Sequence, residues 1–149
     1  MQLKFIATIF DLSLKEIKDT LGFETLTMIF RRVGETTAES IMKRLEGKYK
    51  SEKEFGEKLL EAYFWPIIGK ENAKLSIEGN VITIELLNCP YKKAGFPIKD
   101  SSFFCDYTQG LVDVAFKKAF PSKKFDFNPP TELLAKEGCK RCFFKIVES

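Results

Sequence analysis

The stretch that decides the predicted fold opens with Leu87-Asn88-Cys89-Pro90 and closes with Glu137-Gly138-Cys139-Lys140-Arg141-Cys142-Phe143-Phe144. Four cysteines, which are all that the chain contains, lie in it: Cys89, Cys105, Cys139 and Cys142. Each one lies beside a predicted turn, helix start or strand start. If these segments meet in the folded chain, four thiolates surround one soft cation, which is the closed tetrahedral site that zinc prefers in structural roles.

The cysteine pattern leaves other interpretations open. An even number of cysteines also fits two disulfides, and buried cysteines are common inert core residues. Cys139 and Cys142 have a spacing that serves metal binding and redox chemistry alike, and an iron–sulfur cluster would use the same four ligands. The chain opens with Met1-Gln2-Leu3-Lys4 and no long apolar signal segment, so we expect a cytoplasmic, reducing location that disfavours disulfides.

The composition predicts one ordinary domain, residues 1–149. Hydrophobic residues make up 44% of the chain, which is enough for a sizeable core. A net charge of +3, from 24 basic and 21 acidic residues, gives no reason to expect nucleic acid as a partner. No apolar run reaches the roughly 18 residues that a membrane span needs. The chain has no histidine, so a metal must rely on thiolate or carboxylate ligands.

The first half of the chain has helical patterns. Ser13-Leu14-Lys15-Glu16 is typical of a capping box, and it predicts a short first helix that Gly22 ends. Apolar residues at helical spacing predict a long amphipathic helix from about residue 23 to residue 45. Ser51-Glu52-Lys53-Glu54 predicts the start of another helix, and Pro66 predicts its end.

The second half of the chain has more strand patterns. Alternating apolar residues on both sides of Gly79-Asn80 predict a β-hairpin. A helix is expected from about residue 103 to residue 120, followed by extended segments at 124–127, 132–136 and 141–147. The last strand is expected to turn three side chains to one face, namely Cys142, Phe144 and Ile146.

Helices come first and most strands come later, so the predicted class is an α+β fold with helices packed on one antiparallel β-sheet. Gly34 and Gly110 each interrupt a predicted helix, where glycine costs about 1 kcal/mol relative to alanine. We therefore expect another backbone to approach closely at both positions.

Four segments together resemble the 4-vinyl reductase domain, also described as a hydrocarbon-binding domain. They are Met28-Ile29-Phe30-Arg31-Arg32-Val33-Gly34, the hairpin that ends near Cys89, Cys105-Asp106-Tyr107-Thr108-Gln109-Gly110-Leu111-Val112, and the closing motif around Cys142. The likeness covers about residues 22–147. It implies the α+β fold shared with subunits of the TRAPP vesicle-tethering complex and with haem-nitric-oxide-binding sensors. It also implies a pocket for a small apolar molecule, and some members of the family hold zinc through cysteines of these motifs.

Within this resemblance, Cys105 and Gly110 match the family's penultimate helix, and Gly138 and Cys142 match its closing motif. The family's usual cysteine eight residues before the last falls on Leu134 here, so we predict Cys89 and Cys139 as replacement ligands from their spacing alone. The elements that wall the family's cavity carry six expected ligand contacts: Phe64, Trp65, Phe104, Tyr107, Val112 and Phe116. Ordinary core packing is the alternative role for these side chains.

Two further segments, Cys89-Pro90-Tyr91 and Phe104-Cys105-Asp106-Tyr107, resemble the 2-aminothiazoline-4-carboxylate hydrolase family. That resemblance implies ring or amidine hydrolysis, with Cys105 as nucleophile and Asp106 as acid or base. A thiol without a histidine beside it depends on a helix end or a nearby charge for activation. The sequence therefore favours binding over catalysis and leaves an enzyme as the alternative.

The function predicted first is a binding or sensing domain for a hydrophobic small molecule, with a cysteine metal site, most simply zinc, that braces the pocket. A second copy of the chain, forming a homodimer, or another protein is expected as the partner that responds to binding. A hydrolase is one alternative. An assembly or scaffold subunit is the other, by analogy with the tethering-complex subunits.

Overall fold

Two long helices form the N-terminal part of the structure. The computed structural model describes residues 2–89, 103–128 and 142–149. Helix α1 (Gln2–Leu21) and helix α2 (Phe23–Arg44) meet at Gly22, whose φ of 88° is a left-handed conformation that glycine adopts without strain. The predicted helix end at Gly22 and the long helix after it are therefore confirmed.

The predicted start of the first helix at Ser13 is wrong. Helix α1 is continuous from Gln2, and the Ser13 hydroxyl donates to the carbonyl of Ile9, four residues earlier, at 2.8 Å. A serine bonded in this way lies inside a helix, whereas an N-cap serine accepts a bond from an amide ahead of it. Ser-x-x-Glu occurs in both settings, so the spacing alone could not distinguish them.

Helix α3 (Glu52–Leu59) begins where the sequence predicted. The Ser51 hydroxyl accepts a hydrogen bond from the N–H of Glu54 at 3.2 Å, and the N–H of Lys50 donates to the Glu54 carboxylate at 2.8 Å. The first bond satisfies one of the amides that a helix start leaves without a partner, and the second fixes the residue before the cap to the first turn.

The helical path does not end at Pro66, contrary to the prediction. A π-helical turn (Leu60–Phe64) leads directly into the short helix α4 (Trp65–Ile68), which holds Pro66 in its first turn. The N–H of Trp65 bonds to the carbonyl of Leu60, five residues back, so helical hydrogen bonds continue up to the residue before Pro66, which itself has no N–H to donate. The path ends at Gly69, with φ of 92°, and a 3₁₀ turn (Lys70–Asn72) follows.

One antiparallel sheet follows the helices. Its strands are β1 (Ala73–Glu78), β2 (Val81–Leu86), β3 (Phe125–Asn128) and β4 (Cys142–Glu148), and their order across the sheet is β1-β2-β4-β3. Strands β1 and β2 form the predicted hairpin around Gly79-Asn80, and the predicted first and last strands of the tail are confirmed. The extended segment predicted at 132–136 lies outside the described residues.

One face of the sheet packs against the helices. Antiparallel pairing sets Ile82 opposite Ile146 and Ile84 opposite Phe144, and Leu86 lies opposite the first residue of β4. Since side chains alternate between the faces of a strand, the inner face carries Ile82, Ile84, Leu86, Cys142, Phe144 and Ile146, all of them buried. The predicted inward face of the last strand is confirmed.

Helix α5 (Phe103–Ala119) crosses α2 at close range. A side chain at Gly34 would overlap the backbone carbonyl of Tyr107, and a side chain at Gly110 would overlap the backbone carbonyl of Arg31. Both predicted close approaches are thus confirmed, and they occur at one crossing. The structure has the predicted α+β architecture, with helices laid on one antiparallel sheet.

Candidate functional site

A broad apolar surface covers α1 and the first part of α2. Although α1 is 20 residues long, it buries only Ala7 and Leu14. Twelve large hydrophobic side chains between residues 3 and 33 are 36–74% exposed. We call them the α1–α2 surface: Leu3, Phe5, Ile6, Ile9, Phe10, Leu12, Ile17, Leu21, Phe23, Met28, Ile29 and Val33.

Apolar side chains occur on two sides of α1. One stripe includes the buried Ala7 and Leu14 and faces the body of the protein. A second group, Phe5, Ile6, Ile9 and Leu12, is more than half exposed. A surface helix that packs only on its own core needs one apolar stripe and carries polar residues on the opposite side. The second group therefore indicates contact with something beyond the described part of this chain.

The α1–α2 surface exposes a large apolar area. Taking roughly 200 Å² for a large, fully exposed side chain, the twelve residues present on the order of 1,000 Å². The largest apolar patch of a typical monomer is about 300–600 Å², and a standard protein interface buries about 800 Å² on each partner. The apolar area that these twelve residues expose, summed over both helices, is thus comparable with the area that one partner buries in a standard protein interface.

A groove on α2 continues this surface. Its volume is about 520 Å³, and Ile29 and Val33 line it together with Arg32 and three hydroxyl side chains, those of Thr36, Thr37 and Ser40. Residues 2–44 carry seven basic and six acidic side chains, so α1 and α2 together are close to neutral. A nearly neutral, largely apolar surface favours docking of another apolar surface over capture of a strongly charged partner.

Of the three described cysteines, Cys89 and Cys142 lie towards one end of the sheet, and all three are 5–7% exposed. Cys142 opens β4 opposite Leu86, the last residue of β2, and Cys89 follows three residues later. Cys105 lies in the first turn of α5, as predicted. Nearby, the hydroxyl groups of Tyr107 and Tyr63 are hydrogen bonded at 2.7 Å.

The metal site predicted at Cys89, Cys105, Cys139 and Cys142 is still a prediction. Within residues 2–89, 103–128 and 142–149, no group of three or more cysteine, aspartate, glutamate or histidine side chains could hold a metal ion. Cys139 lies outside these ranges. A zinc ion or an iron–sulfur cluster at these cysteines would therefore need Cys139 or a rearrangement of the other three.

Five of the residues predicted to contact a ligand are described, and they lie in the apolar core or pack against it. Val112 and Phe116 are fully buried, Phe64 belongs to the same core, and Phe116 packs edge-on against Phe55 with ring centroids 4.9 Å apart. The Trp65 indole donates to the carbonyl of Ala73 at 3.1 Å, and Tyr107 bonds to Tyr63. The side chain of Phe104 lies outside the described part. None of the five described residues lines the α2 groove or a second groove, of about 450 Å³, beside Met42 and Lys118.

An ion pair between a partly exposed arginine of α2 and a buried aspartate of α5 joins the two helices, and sequence analysis missed it. Arg31 Nη2 donates to Asp113 Oδ2 at 2.5 Å, while Lys117 Nζ lies 3.1 Å from Asp113 Oδ1. Asp113 is buried, and Arg31 also bonds to Glu35 at 3.1 Å. Arg31 and Asp113 are 82 residues apart, and no local pattern signals such a contact.

Asp106 is the other acidic group near this junction. Burial raises the pKa of the Asp106 carboxyl above its ordinary value, and the positive charge of Arg31 opposes that rise. The hydrolase resemblance gave Asp106 an acid or base role next to a Cys105 nucleophile. Cys105, however, is buried, and a thiol must be accessible to attack a substrate.

Among the described residues, no helix combines the length and apolar character needed to cross a bilayer. No protein-family model and no curated protein sequence matches the chain. The assignment to the 4-vinyl reductase family therefore stays a prediction.

A solved structure is similar to this one over almost its whole length. It is subunit 3 of the trafficking protein particle complex from Naegleria fowleri, crystallised with palmitic acid covalently bound. The TM-score is 0.62 at 11% sequence identity, and the match covers 99% of this chain and 95% of that chain. At this identity the likeness shows the fold alone. The predicted similarity to the fold of TRAPP subunits is confirmed as a similarity of fold.

Proposed function

We propose that this protein is a subunit of a protein assembly and that it binds a second protein chain through the α1–α2 surface. The observation that carries this proposal is the group of twelve large apolar side chains that α1 and α2 leave exposed. Removing apolar area from water contributes about 25 cal/mol per Å², so covering this surface provides the driving force for association. The fold supports the proposal, because the similar solved structure is a subunit of a complex.

Helix α1 is the main binding element in this proposal. Its inner stripe holds it to the body through Ala7 and Leu14, and the partner covers Phe5, Ile6 and Ile9. Aromatic and branched aliphatic side chains at the centre of an interface contribute most of the binding free energy. The assembly or scaffold function, an alternative at the level of sequence, thus becomes the main proposal.

Site-specific cross-linking tests this proposal in the cell. A photoreactive residue at Ile9 should give one defined adduct with a protein, either another copy or a different chain, which peptide mapping identifies. The same residue at Lys53, exposed on α3, should give none. The pair of substitutions Ile6→Glu and Leu12→Glu should abolish the Ile9 adduct without changing the circular dichroism spectrum. Equal adducts at Ile9 and Lys53, or no adduct at Ile9, would contradict the proposal.

A second candidate function is binding of a long apolar molecule in the core. One observation favours it: the similar solved structure carries palmitic acid on a covalent bond, and three cysteines of this chain lie in the same apolar core as Phe64 and Phe116. Val112 and Phe116, which are fully buried, would lie among the core side chains beside such a molecule. Zinc at the cysteines would belong to this second function, as a brace for the opened pocket.

Mass spectrometry separates the two candidate functions. Protein purified without added lipid and measured intact under denaturing conditions should show a mass increase if an acyl chain is bound to a cysteine. Solvent extraction should release any molecule held without a covalent bond. An unmodified mass together with an empty extract would exclude the second candidate and leave the assembly proposal unaffected.

A further inference from the structure

A second interaction surface, separate from the α1–α2 surface, lies at the open edge of the sheet. The strand order β1-β2-β4-β3 puts β1 at an edge, and β1 pairs only with β2 among the described strands. An unpaired edge strand presents a row of backbone N–H and C=O groups that can pair with another strand.

The direction of these backbone groups follows from the hairpin. Glu78 and Val81 flank the two-residue Gly79-Asn80 turn, so they form a hydrogen-bonded pair, and hydrogen-bonded pairs then alternate along the strands. The N–H and C=O groups of residues 74, 76 and 78 therefore point to β2, and those of Leu75 and Ile77 point outward. The N–H of Leu87 donates to the carbonyl of Asn72 at 2.8 Å, as this alternation requires.

Two features mark the ends of the open edge. At one end, the Trp65 indole N–H already occupies the outward carbonyl of Ala73, at 3.1 Å. At the other end, the chain turns away at Gly79. The open stretch is therefore residues 74–78, and Ser76 is its middle residue. The outward groups of Leu75 and Ile77 lie one residue to either side of Ser76.

This edge is complementary to itself. We propose that two copies of this protein pair their β1 strands antiparallel about a two-fold axis at Ser76, which joins two four-stranded sheets into one. Leu75 of each copy then faces Ile77 of the other, and their outward N–H and C=O groups form hydrogen bonds. Lys74 of each copy faces Glu78 of the other, so an opposite charge pair closes each end of the new ladder.

The charges select this register over its neighbours. Slipping the pairing by two residues in one direction sets Lys74 opposite Ser76, and slipping it in the other direction sets Lys74 opposite Asn80. Both slips lose the two charge pairs, and the first also directs bonds at the Ala73 carbonyl that Trp65 occupies. Lys74 lies across from Glu85 in its own sheet, yet Lys74 and Glu78 make no ion pair within the described part of the chain.

Apolar contact accompanies the new ladder. Ile77 lies on the helix-facing side of the sheet and is 38% exposed, and no other described strand pairs with β1 on this edge. In the paired sheet, Leu75 and Ile77 of the second copy pack beside it. The paired edges are distinct from the α1–α2 surface, so a subunit that uses both surfaces can build assemblies of more than two chains.

Disulfide trapping tests the geometry. At the proposed axis, Ser76 faces its own copy in a non-hydrogen-bonded pair, where Cα atoms are about 4.5 Å apart, within the range of about 4.4–6.8 Å for a disulfide. Ser76→Cys should therefore form a covalent dimer under a copper–phenanthroline oxidant, seen by non-reducing electrophoresis. Lys74→Cys is the matched control, since residues 74 of the two copies would be about 13 Å apart. The unaltered chain, with its own four cysteines, sets the background.

Charge reversal supplies a second test. Lys74→Glu alone and Glu78→Lys alone each set like charges opposite one another, and each should weaken dimerisation of the Ser76→Cys chain about tenfold, measured from the concentration dependence of cross-linking. Mixing these two variants should restore cross-linking, because each supplies the charge that the other needs. Restoration also shows that both variants are folded.

The outcomes separate this inference from the proposed function. Ile6→Glu with Leu12→Glu, which disrupts the α1–α2 surface, should leave cross-linking at Ser76 unchanged. Equal cross-linking through Ser76→Cys and Lys74→Cys, or failure of the mixed charge variants to recover, would overturn the paired edge. Absence of a Ser76 dimer above background at 100 µM protein (a concentration of about 10⁻⁴ M, which suits weak association) would overturn it as well.

Discussion

Gly34 of α2 and Gly110 of α5 lie at one crossing, and each glycine packs against a backbone carbonyl of the opposite helix. The reciprocal contact joins Gly34 to Tyr107 and Gly110 to Arg31. A methyl group at either position would overlap an atom of a helix backbone that cannot rotate away. We therefore expect Gly34→Ala and Gly110→Ala each to lower the free energy of unfolding by about 2–3 kcal/mol, because overpacking outweighs the helix propensity of about 1 kcal/mol that alanine gains.

Urea unfolding measures this effect, and Gly56→Ala is its matched control. Gly56 also lies inside a helix, but an added methyl group there meets only the flexible side chain of Leu75. That side chain can shift, so Gly56→Ala should change stability by less than about 1 kcal/mol. Equal losses at Gly34, Gly110 and Gly56 would contradict a special role for the α2–α5 crossing.

This crossing also shows which parts of the fold were accessible from sequence. A glycine inside an amphipathic helix signals a close neighbour, and the hairpin, α2, the start of α3 and the inner face of β4 follow from equally local patterns. The predicted start of α1 at Ser13 is wrong, because Ser-x-x-Glu also occurs inside helices and because apolar residues on two sides of α1 obscure the single stripe that marks a surface helix. The same two-sided pattern is now the main evidence for a docking surface.

The ion pair between Arg31 and Asp113 gives the second prediction. Arg31→Met leaves the buried Asp113 carboxylate with only Lys117 as a cationic partner. Removing one partner of a fully buried ion pair costs about 3–5 kcal/mol. We expect a smaller loss here, roughly 1–3 kcal/mol, because Arg31 is partly exposed and because Lys117 still neutralises Asp113. Replacing both partners, as in Arg31→Met with Asp113→Leu, should cost less than the sum of the two single changes.

A double-mutant cycle measures this coupling by chemical denaturation. The exposed pair Lys58 and Glu61 provides the comparison, because its atoms lie 3.0 Å apart in water-accessible positions. Lys58→Met should leave stability nearly unchanged, because water screens an exposed ion pair. Additive effects of the changes at Arg31 and Asp113 would show that the two residues are not coupled.

Asp106 gives a prediction about pH. Burial raises the pKa of Asp106 in the folded protein, despite the opposing charge of Arg31, so the folded state binds its proton more tightly than the unfolded chain does. The protonated Asp106 carboxyl therefore contributes its full stability at pH values below its pKa in the unfolded chain. That contribution is lost as pH rises through the pKa of Asp106 in the folded protein. Asp106→Asn should make the protein more stable than the parent at pH 7 and should have no such effect at pH 3.

Thermal unfolding at both pH values checks the Asp106 prediction. Asp126→Asn, on the exposed side of β3, serves as the control and should show no gain at pH 7. A gain for Asp106→Asn that is the same at pH 3 and pH 7 would point to packing or helix propensity as its cause, and would contradict the role of the buried charge.

The candidate site was less accessible from sequence than the fold. Helical spacing identified Phe64, Val112 and Phe116 as interior residues, but spacing cannot show whether an interior is filled or hollow. In the described core Val112 and Phe116 are fully buried and Phe116 packs against Phe55, so their role as ligand contacts is still a prediction. The exposed side of α1, by contrast, is identified only from the structure, in which the buried Ala7 and Leu14 mark the side of the helix that packs against the body of the protein.

The four-cysteine zinc site gives the last prediction. Protein purified without chelator should contain about one metal ion per chain, and Cys139→Ser together with Cys142→Ser should remove the ion and lower the melting temperature together. Elemental analysis counts the metal, and a visible absorption band would indicate an iron–sulfur cluster in place of zinc.

Because Cys89, Cys105 and Cys142 are buried, their alkylation should be slow in the native protein whether or not metal is present. The decisive measurement is therefore Cys139: a metal ligand there reacts with an alkylating probe only after a chelator is added. Metal-free protein in which Cys139 reacts at the same rate with and without chelator would refute the site.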